Sequence, residues 1–232
     1  MPAHNPLKIA VCGATGRTGS RVAALASEDP RFHLVARVDR SRAEEFLDES
    51  GSVSAAIDFT APESCVRFAA ACARTKTAFV TGTTGLTVIQ RAQLATAAKK
   101  IPVFVAPNFS RGVTLMLHLA QEAARRLPDY DAVLVETHHK GKKDAPSGTA
   151  LRLAQAVRDG RGDDAPVNTV SRRIGDVVGD HELTFAGPFE TLLLTHHAES
   201  RDLFAQGALD AALWAAGKKP GLYDMLDMLG LR

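Results

Sequence analysis

Residues Glu136 to Ala150 read ETHHKGKKDAPSGTA, with two histidines and three lysines in six positions and then PSGT. An imidazole, with a pKa near about 6.5, can hand over a proton at neutral pH. A helix that starts near Ser147 turns the N–H groups of Gly148 and Thr149 toward an anion, and nearby lysine or imidazole adds positive charge. The stretch therefore reads as a carboxylate pocket with a proton donor, or as a solvated basic loop. A metal site is disfavoured, because adjacent histidines rarely reach one ion and no carboxylate or cysteine falls at a familiar ligand spacing. A second motif, GATGRTG, places Gly13, Gly16 and Gly19 after an apolar run and ahead of a helix-length stretch. Glycines there permit a tight turn and close backbone approach to a pyrophosphate, which the helix N-terminus favours electrostatically. The spacing is GxxGxxG, a variant of the usual GxGxxG fingerprint.

The other residues that suit a dinucleotide fall at the ends of apolar runs. VDR puts Asp39 where an acidic side chain takes the ribose hydroxyls of NAD, and Arg40 where a cation can take the 2′-phosphate of NADP. GTTG (Gly82 to Gly85) and APNFS (Ala106 to Ser110) have the small residues, hydroxyls and amide that suit the ribose and nicotinamide end, although short strand-to-helix turns look alike. In DFTAPES, Asp58 and Thr60 equally well cap a helix.

The elements that must carry these residues alternate in the first half of the chain. Short apolar runs at 7–12, 33–38, 55–59, 78–82 and 101–107 read as strands, separated mostly by helix-length stretches. Alternation with continuously apolar strands predicts a parallel sheet covered on both faces, a Rossmann-type α/β domain. Residues 110–128 read as one long helix stopped by proline, DAVLVETH as a strand, and 147–160 as a helix capped by Ser147. From Asn168 to Ala198 the strand-like pieces are split by glycines, which suggests antiparallel strands and hairpins. RDLFAQGALDAALWAAGK reads as a final helix and GLYDMLDMLGLR as an apolar tail docked on the body. The expected organisation is a dinucleotide-binding domain over 1–109 with a return at 202–232. An α+β domain with a mixed or antiparallel sheet, for substrate binding and oligomerisation, spans 110–201.

Across 232 residues the net charge is only +2, so the lysine cluster is a local feature and a nucleic-acid partner is not expected. The three cysteines, Cys12, Cys65 and Cys72, lie in or beside apolar runs and suit a reducing compartment rather than a disulfide framework. With no signal-like N-terminus and no apolar run of membrane-spanning length, a cytoplasmic protein without membrane contact is expected.

The block ETHHKGKKDAPSGTA resembles the signature of the dihydrodipicolinate reductase family, and GATGRTG, DFTAPE, GTTG, APNFS, GDHELTF and SRDLFAQGALDAALW extend the likeness along nearly the whole chain. The resemblance implies an enzyme that reduces a cyclic unsaturated dicarboxylate with NADPH or NADH, in diaminopimelate and lysine biosynthesis. It implies His138 as proton donor and Lys142 as a second catalytic group, with His139, Gly148 and Thr149 on the substrate carboxylates. It assigns Gly13, Ala14, Thr15, Gly16, Arg17, Thr18, Asp39, Arg40, Gly82, Thr83, Thr84, Ala106, Pro107, Asn108 and Phe109 to the cofactor, and no metal. A homotetramer built through the second domain's sheet is expected with it; because the reacting groups fall on different domains of the sequence, closure around Ser110 and Arg201 is expected for turnover. Three departures stand out. The connection 40–53 is short and leaves room only for an acidic helix, SRAEEFLDES; Arg111 stands where a small apolar residue is common; and DAVLVET, where members often carry another glutamate, receives no role. His196 and His197 read as strand-end or oligomer-contact residues. Two other readings stay open on residues alone: a different two-domain Rossmann oxidoreductase acting on a small carboxylated imine or aldehyde, and a dinucleotide sensor without chemistry.

Overall fold

The computed structural model describes residues 5–39 and 53–232. Arg40 and the acidic helix expected in SRAEEFLDES lie outside the described residues. The chain divides into two compact units, Met1–Phe109 with Asp202–Arg232, and Ser110–Arg201.

In the first unit, β1 (Leu7–Cys12), β2 (Phe32–Val38), β3 (Ala55–Asp58), β4 (Ala78–Thr81) and β5 (Pro102–Val105) alternate with α1 (Arg17–Glu28), α2 (Pro62–Thr75) and α3 (Val88–Ala98). The described pairings among these strands are all parallel, and after β1, β3 and β4 a helix carries the chain back across the sheet. Period-two alternation sends Ile9 and Val11 to a core shared with α1, and Ala10 and Cys12 to the opposite core shared with α2 and α3. Pro62 starts α2 at a position where its missing N–H costs nothing. The C-terminal tail does more than dock. Gly221–Tyr223, β10 in chain order, forms a further parallel strand beside β5 and completes the order β10-β5-β4-β3-β1-β2. Strand order reverses between β1 and β3, the point of an open α/β sheet where a crevice opens at the carboxyl ends.

The second unit runs α4 (Arg111–Arg126), β6 (Asp131–His138), α5 (Gly148–Arg161), β7 (Asn168–Arg173), β8 (Asp180–Ala186) and β9 (Thr191–His197). The first unit closes with α6 (Asp202–Ala216), β10 (Gly221–Tyr223) and α7 (Met225–Met228). The expectation of antiparallel hairpins holds for β8 and β9, and β8 is also antiparallel to β6, but β7 pairs with β6 in parallel. The helix α5 makes β6–α5–β7 a crossover unit, and a crossover returns the chain in the same direction. The sheet, in order β7-β6-β8-β9, is therefore mixed. Leu134, Leu183 and Phe185 pack with Met116, Ala120, Leu153 and Val157 of α4 and α5. Gly160 lets those helices approach, since a Cβ there would lie 2.2 Å from the carbonyl oxygen of Gln121. Residues of the opposite parity, such as Val170 and Leu193, stay exposed.

Candidate active site

Each unit gathers one set of the chemically capable residues. In the first, Gly13 leaves β1 with φ +80°, where a Cβ would lie 2.7 Å from the carbonyl oxygen of Phe59. Gly19 lies under the turn, and a Cβ on it would meet the Gly13 carbonyl oxygen at 2.1 Å. Gly16 is the N-cap of α1 and offers no side chain to the helix's first N–H groups. Such an uncapped helix end beside glycine backbone is suited to a phosphate. The crevice, of about 320 Å³, is lined by Gly13, Thr15, Gly16, Asp39, Phe59, Thr60 and Ala61. These residues fit a dinucleotide: glycine cradle, helix N-terminus, and a carboxylate at the end of β2.

Of the residues assigned to the cofactor from sequence, Gly13, Thr15, Gly16 and Asp39 line that crevice. Arg17 and Thr18 open α1, and Ala14 packs against the neighbouring core. Gly82 and Thr84 follow β4, and Ala106, Pro107 and Asn108 follow β5, all at the carboxyl edge of the sheet. Two assigned side chains have internal partners instead. The Thr83 hydroxyl donates to Asp58 Oδ2 at 2.8 Å, and Phe109 is buried against Phe59 and Phe104. Asp58 does not cap α2, whose N-cap is Ala61. It is fully buried and accepts from the hydroxyls of Thr60, Thr81 and Thr83 and from the Thr60 N–H, joining the loops after β3 and β4. The Phe59 ring lies against the next loop, where a Cβ on Gly82 would come within 2.2 Å of it. The sequence gives no signal for this network, because it pairs residues more than twenty positions apart.

In the second unit His138 ends β6, with its ring Nδ1 hydrogen-bonded to Glu136 Oε2. Glu136 is fully buried, and its other oxygen accepts from Arg173 at 2.8 Å. Burial alone would raise the Glu136 carboxyl; hydrogen bonds from Arg173, Ser171 and His138 outweigh it and hold the group below the usual range. Burial lowers His138, with Glu136 opposing and Lys142 and Arg173 adding to the fall. Glu136 takes Nδ1–H, so Nε2 is the nitrogen left for proton transfer; it faces Gly179, where a Cβ would sit 2.9 Å away. Glu136 is the residue that sequence reading passed over, although a position two back on the same strand shares a face with His138.

The chain then turns, with the Lys142 N–H donating to the His139 carbonyl and the Lys142 ammonium held by both oxygens of Asp144 at 2.7 and 2.8 Å. Arg173 also donates to the Asp144 carbonyl at 2.6 Å, tying this loop to the Glu136 pair. His139 Nε2 accepts from the Arg201 guanidinium at 3.0 Å, which leaves Nδ1 to carry the ring proton and adds a cation that sequence reading treated only as a hinge. Ser147 caps α5, accepting from the Ala150 N–H at 3.2 Å, with Gly148 and Thr149 in the first turn behind it. His196 is half-buried, with Nε2 3.3 Å from Ser110 Oγ, while His197 is half exposed and pairs with Asp180 and Glu199. Among the described residues no cluster of three or more His, Cys, Asp or Glu is arranged to hold a metal, and no helix is long and apolar enough to cross a membrane.

Comparison with known proteins agrees along nearly the whole length. Residues 7–109 match the family model "Dihydrodipicolinate reductase, N-terminus", and residues 112–229 match "Dihydrodipicolinate reductase, C-terminus". The chain is 43% identical to 4-hydroxy-tetrahydrodipicolinate reductase of Natronomonas pharaonis, covering 95% of this chain and 99% of that one. It is 40% identical to the enzyme of the same name from Thiobacillus denitrificans, over 97% and 99% of the two chains. Its fold matches that of a dipicolinate-bound dihydrodipicolinate reductase from Paenisporosarcina sp. TG-14, with a TM-score of 0.81 at 24% identity over 96% of this chain and 98% of the other.

Proposed function

Because the chain belongs to the dihydrodipicolinate reductase family, we propose that it is an NAD(P)H-dependent oxidoreductase. It reduces 4-hydroxy-tetrahydrodipicolinate to tetrahydrodipicolinate on the route to diaminopimelate and lysine. The observation that carries the reading is His138, buried at a strand end with Nδ1 held by Glu136 and Nε2 left for transfer. A solvated basic loop would have no use for a buried carboxylate–imidazole pair, and neither would a dinucleotide sensor.

The bound nicotinamide supplies a hydride. This chain's residues do the rest. Gly13 and the N-terminus of α1 take the pyrophosphate, with Thr15, Gly16, Arg17 and Thr18 around it. The loops 82–84 and 106–109 line the nicotinamide side. Asp39 takes ribose hydroxyls and Arg40 a 2′-phosphate, so both NADH and NADPH serve. His139, Gly148 and Thr149 hold the two substrate carboxylates, supported by the helix end and the Arg201 cation. After hydride addition His138 gives its Nε2 proton to the substrate anion, while Glu136 stabilises the imidazolium beforehand and fixes the ring. Lys142, positioned by Asp144, balances negative charge on the substrate as it reacts.

A cytoplasmic location is supported by the buried unpaired thiols of Cys12, Cys65 and Cys72. A homotetramer assembled through the second unit's sheet is supported by the uncovered face that carries Val170 and Leu193.

The test of the catalytic assignment is His138→Gln. It should lower turnover by about 10²- to 10⁴-fold, the usual worth of a positioned acid, and leave NADPH affinity nearly unchanged. Weakened NADPH binding with normal turnover of the bound complex would contradict it.

A further inference from the structure

Two histidines face each other across the β8–β9 ladder, His181 opposite His196. Each points inward and places Nε2 near the serine that caps a helix: His181 lies 3.4 Å from Ser147 Oγ of α5, and His196 lies 3.3 Å from Ser110 Oγ of α4. His181 has a further neighbour in the proposed site. Its ring meets that of His138 edge-on, with centroids 5.3 Å apart and planes at 79°. His181 thus touches both halves of the proposed site in this unit, the proton donor and the cap of the carboxylate-binding helix.

His181 is 4% exposed, and its Nδ1 is buried without a partner. An orphaned N–H is rarer and more costly than an orphaned lone pair. The ring proton therefore sits on Nε2 and is donated to Ser147 Oγ, which accepts from the Ala150 N–H as well. Titratable and charged neighbours surround the ring on three strands: Glu136 and His138 on β6, Asp180 on its own strand and His196 on β9. A second positive charge among them would oppose protonation of His138, so a ring that stays neutral leaves His138 free to carry the catalytic proton. Burial, with His138 and His196 nearby, pushes His181 down to about 4.

We propose that His181 is a positioning residue for the reduction, bracing the proton donor His138 against the Ser147 end of α5 so that acid and carboxylate site keep one spacing. The inference rests on the function proposed above. The variants are His181→Phe, which keeps the ring and loses Nε2, and His181→Gln, which keeps a side-chain donor. For His181→Phe at neutral pH, kcat should fall about tenfold or more and substrate KM rise, the scale expected when a reacting group is slightly misplaced. The solvent isotope effect on kcat should grow as proton transfer becomes limiting, and NADPH affinity should not move. In calorimetry on the NADPH-bound protein, pyridine-2,6-dicarboxylate should bind the Phe variant about tenfold more weakly, and the Gln variant should recover both binding and turnover. If the Phe variant does not fold, the Gln variant compared with His181→Ala reads the same difference. Wild-type kinetics and dicarboxylate affinity in the folded Phe variant, or equal loss with Gln and Phe, would overturn the proposal. A wild-type protein that binds pyridine-2,6-dicarboxylate but does not turn over would overturn the reductase reading alone; one that does neither would remove both.

Discussion

His138 is held by opposing influences. Burial disfavours its charged form, while Glu136 favours it and fixes the ring. Glu136→Gln removes the favouring charge, so the imidazolium becomes harder to form and the protonated fraction at a given pH falls. Turnover at pH 7.5 should drop by about 10- to 100-fold, and the high-pH limb of kcat should move to lower pH. An unchanged pH profile would show that Glu136 does not act on the donor. At this scale the sequence was legible where chemistry is contiguous. The histidine, lysine and PSGT residues fall in one stretch, so His138, His139 and Ser147 could be singled out directly. Glu136 was legible in principle, two positions away on a strand. His181 was not, because its contact with Ser147 spans 34 positions and only the folded sheet creates it.

The glycine loop, α1 and the loops after β3 and β4 act as one frame around the dinucleotide crevice. Gly19 is its tightest point, since a Cβ would come within 2.1 Å of the Gly13 carbonyl oxygen. Backbone cannot yield there as a flexible side chain would. Gly19→Ala should therefore push the loop outward and weaken NADPH binding by roughly tenfold or more, measured by fluorescence titration. Unaltered affinity would mean that the loop does not hold the pyrophosphate. Elements built from local pattern were readable: five parallel strands, the Pro62 helix start and the Ser147 cap all follow from residues close in sequence. Strand partners were not. The glycines after Asn168 signal turns, yet they do not tell that β7 returns beside β6 in parallel, nor that Gly221–Tyr223 joins the first sheet. Those pairings are decided by α5 and by the free edge of β5, which are properties of the assembled chain.

For the whole molecule, the buried histidine links function to stability. His181 has an ordinary pKa near 6.5 when unfolded and about 4 when folded, so between those values the unfolded chain binds more protons. Stability should therefore fall as pH drops from about 6.5 toward 4, and this group alone accounts for about 3 kcal/mol of the loss. Denaturant unfolding at pH 7.5 and pH 4.5 measures it. His181→Phe should lose distinctly less over that interval than the wild-type chain, and an equal loss in both would show that another group controls acid unfolding. The division at Phe109 and again at Asp202 was visible as a change from helix–strand alternation to glycine-split strands and back to a helix. Residues 40–52 lie outside the described residues, so Arg40 rests on sequence alone.

The account stands most directly on one assay: absorbance at the nicotinamide band after freshly generated 4-hydroxy-tetrahydrodipicolinate is added to the purified protein, with NADPH and NADH in parallel. Rapid, substrate-dependent oxidation of both cofactors is the predicted result, and its ratio weighs Asp39 against Arg40. Tight cofactor binding with no oxidation of either would contradict the account and leave a dinucleotide-binding protein with a different partner for its histidine pocket.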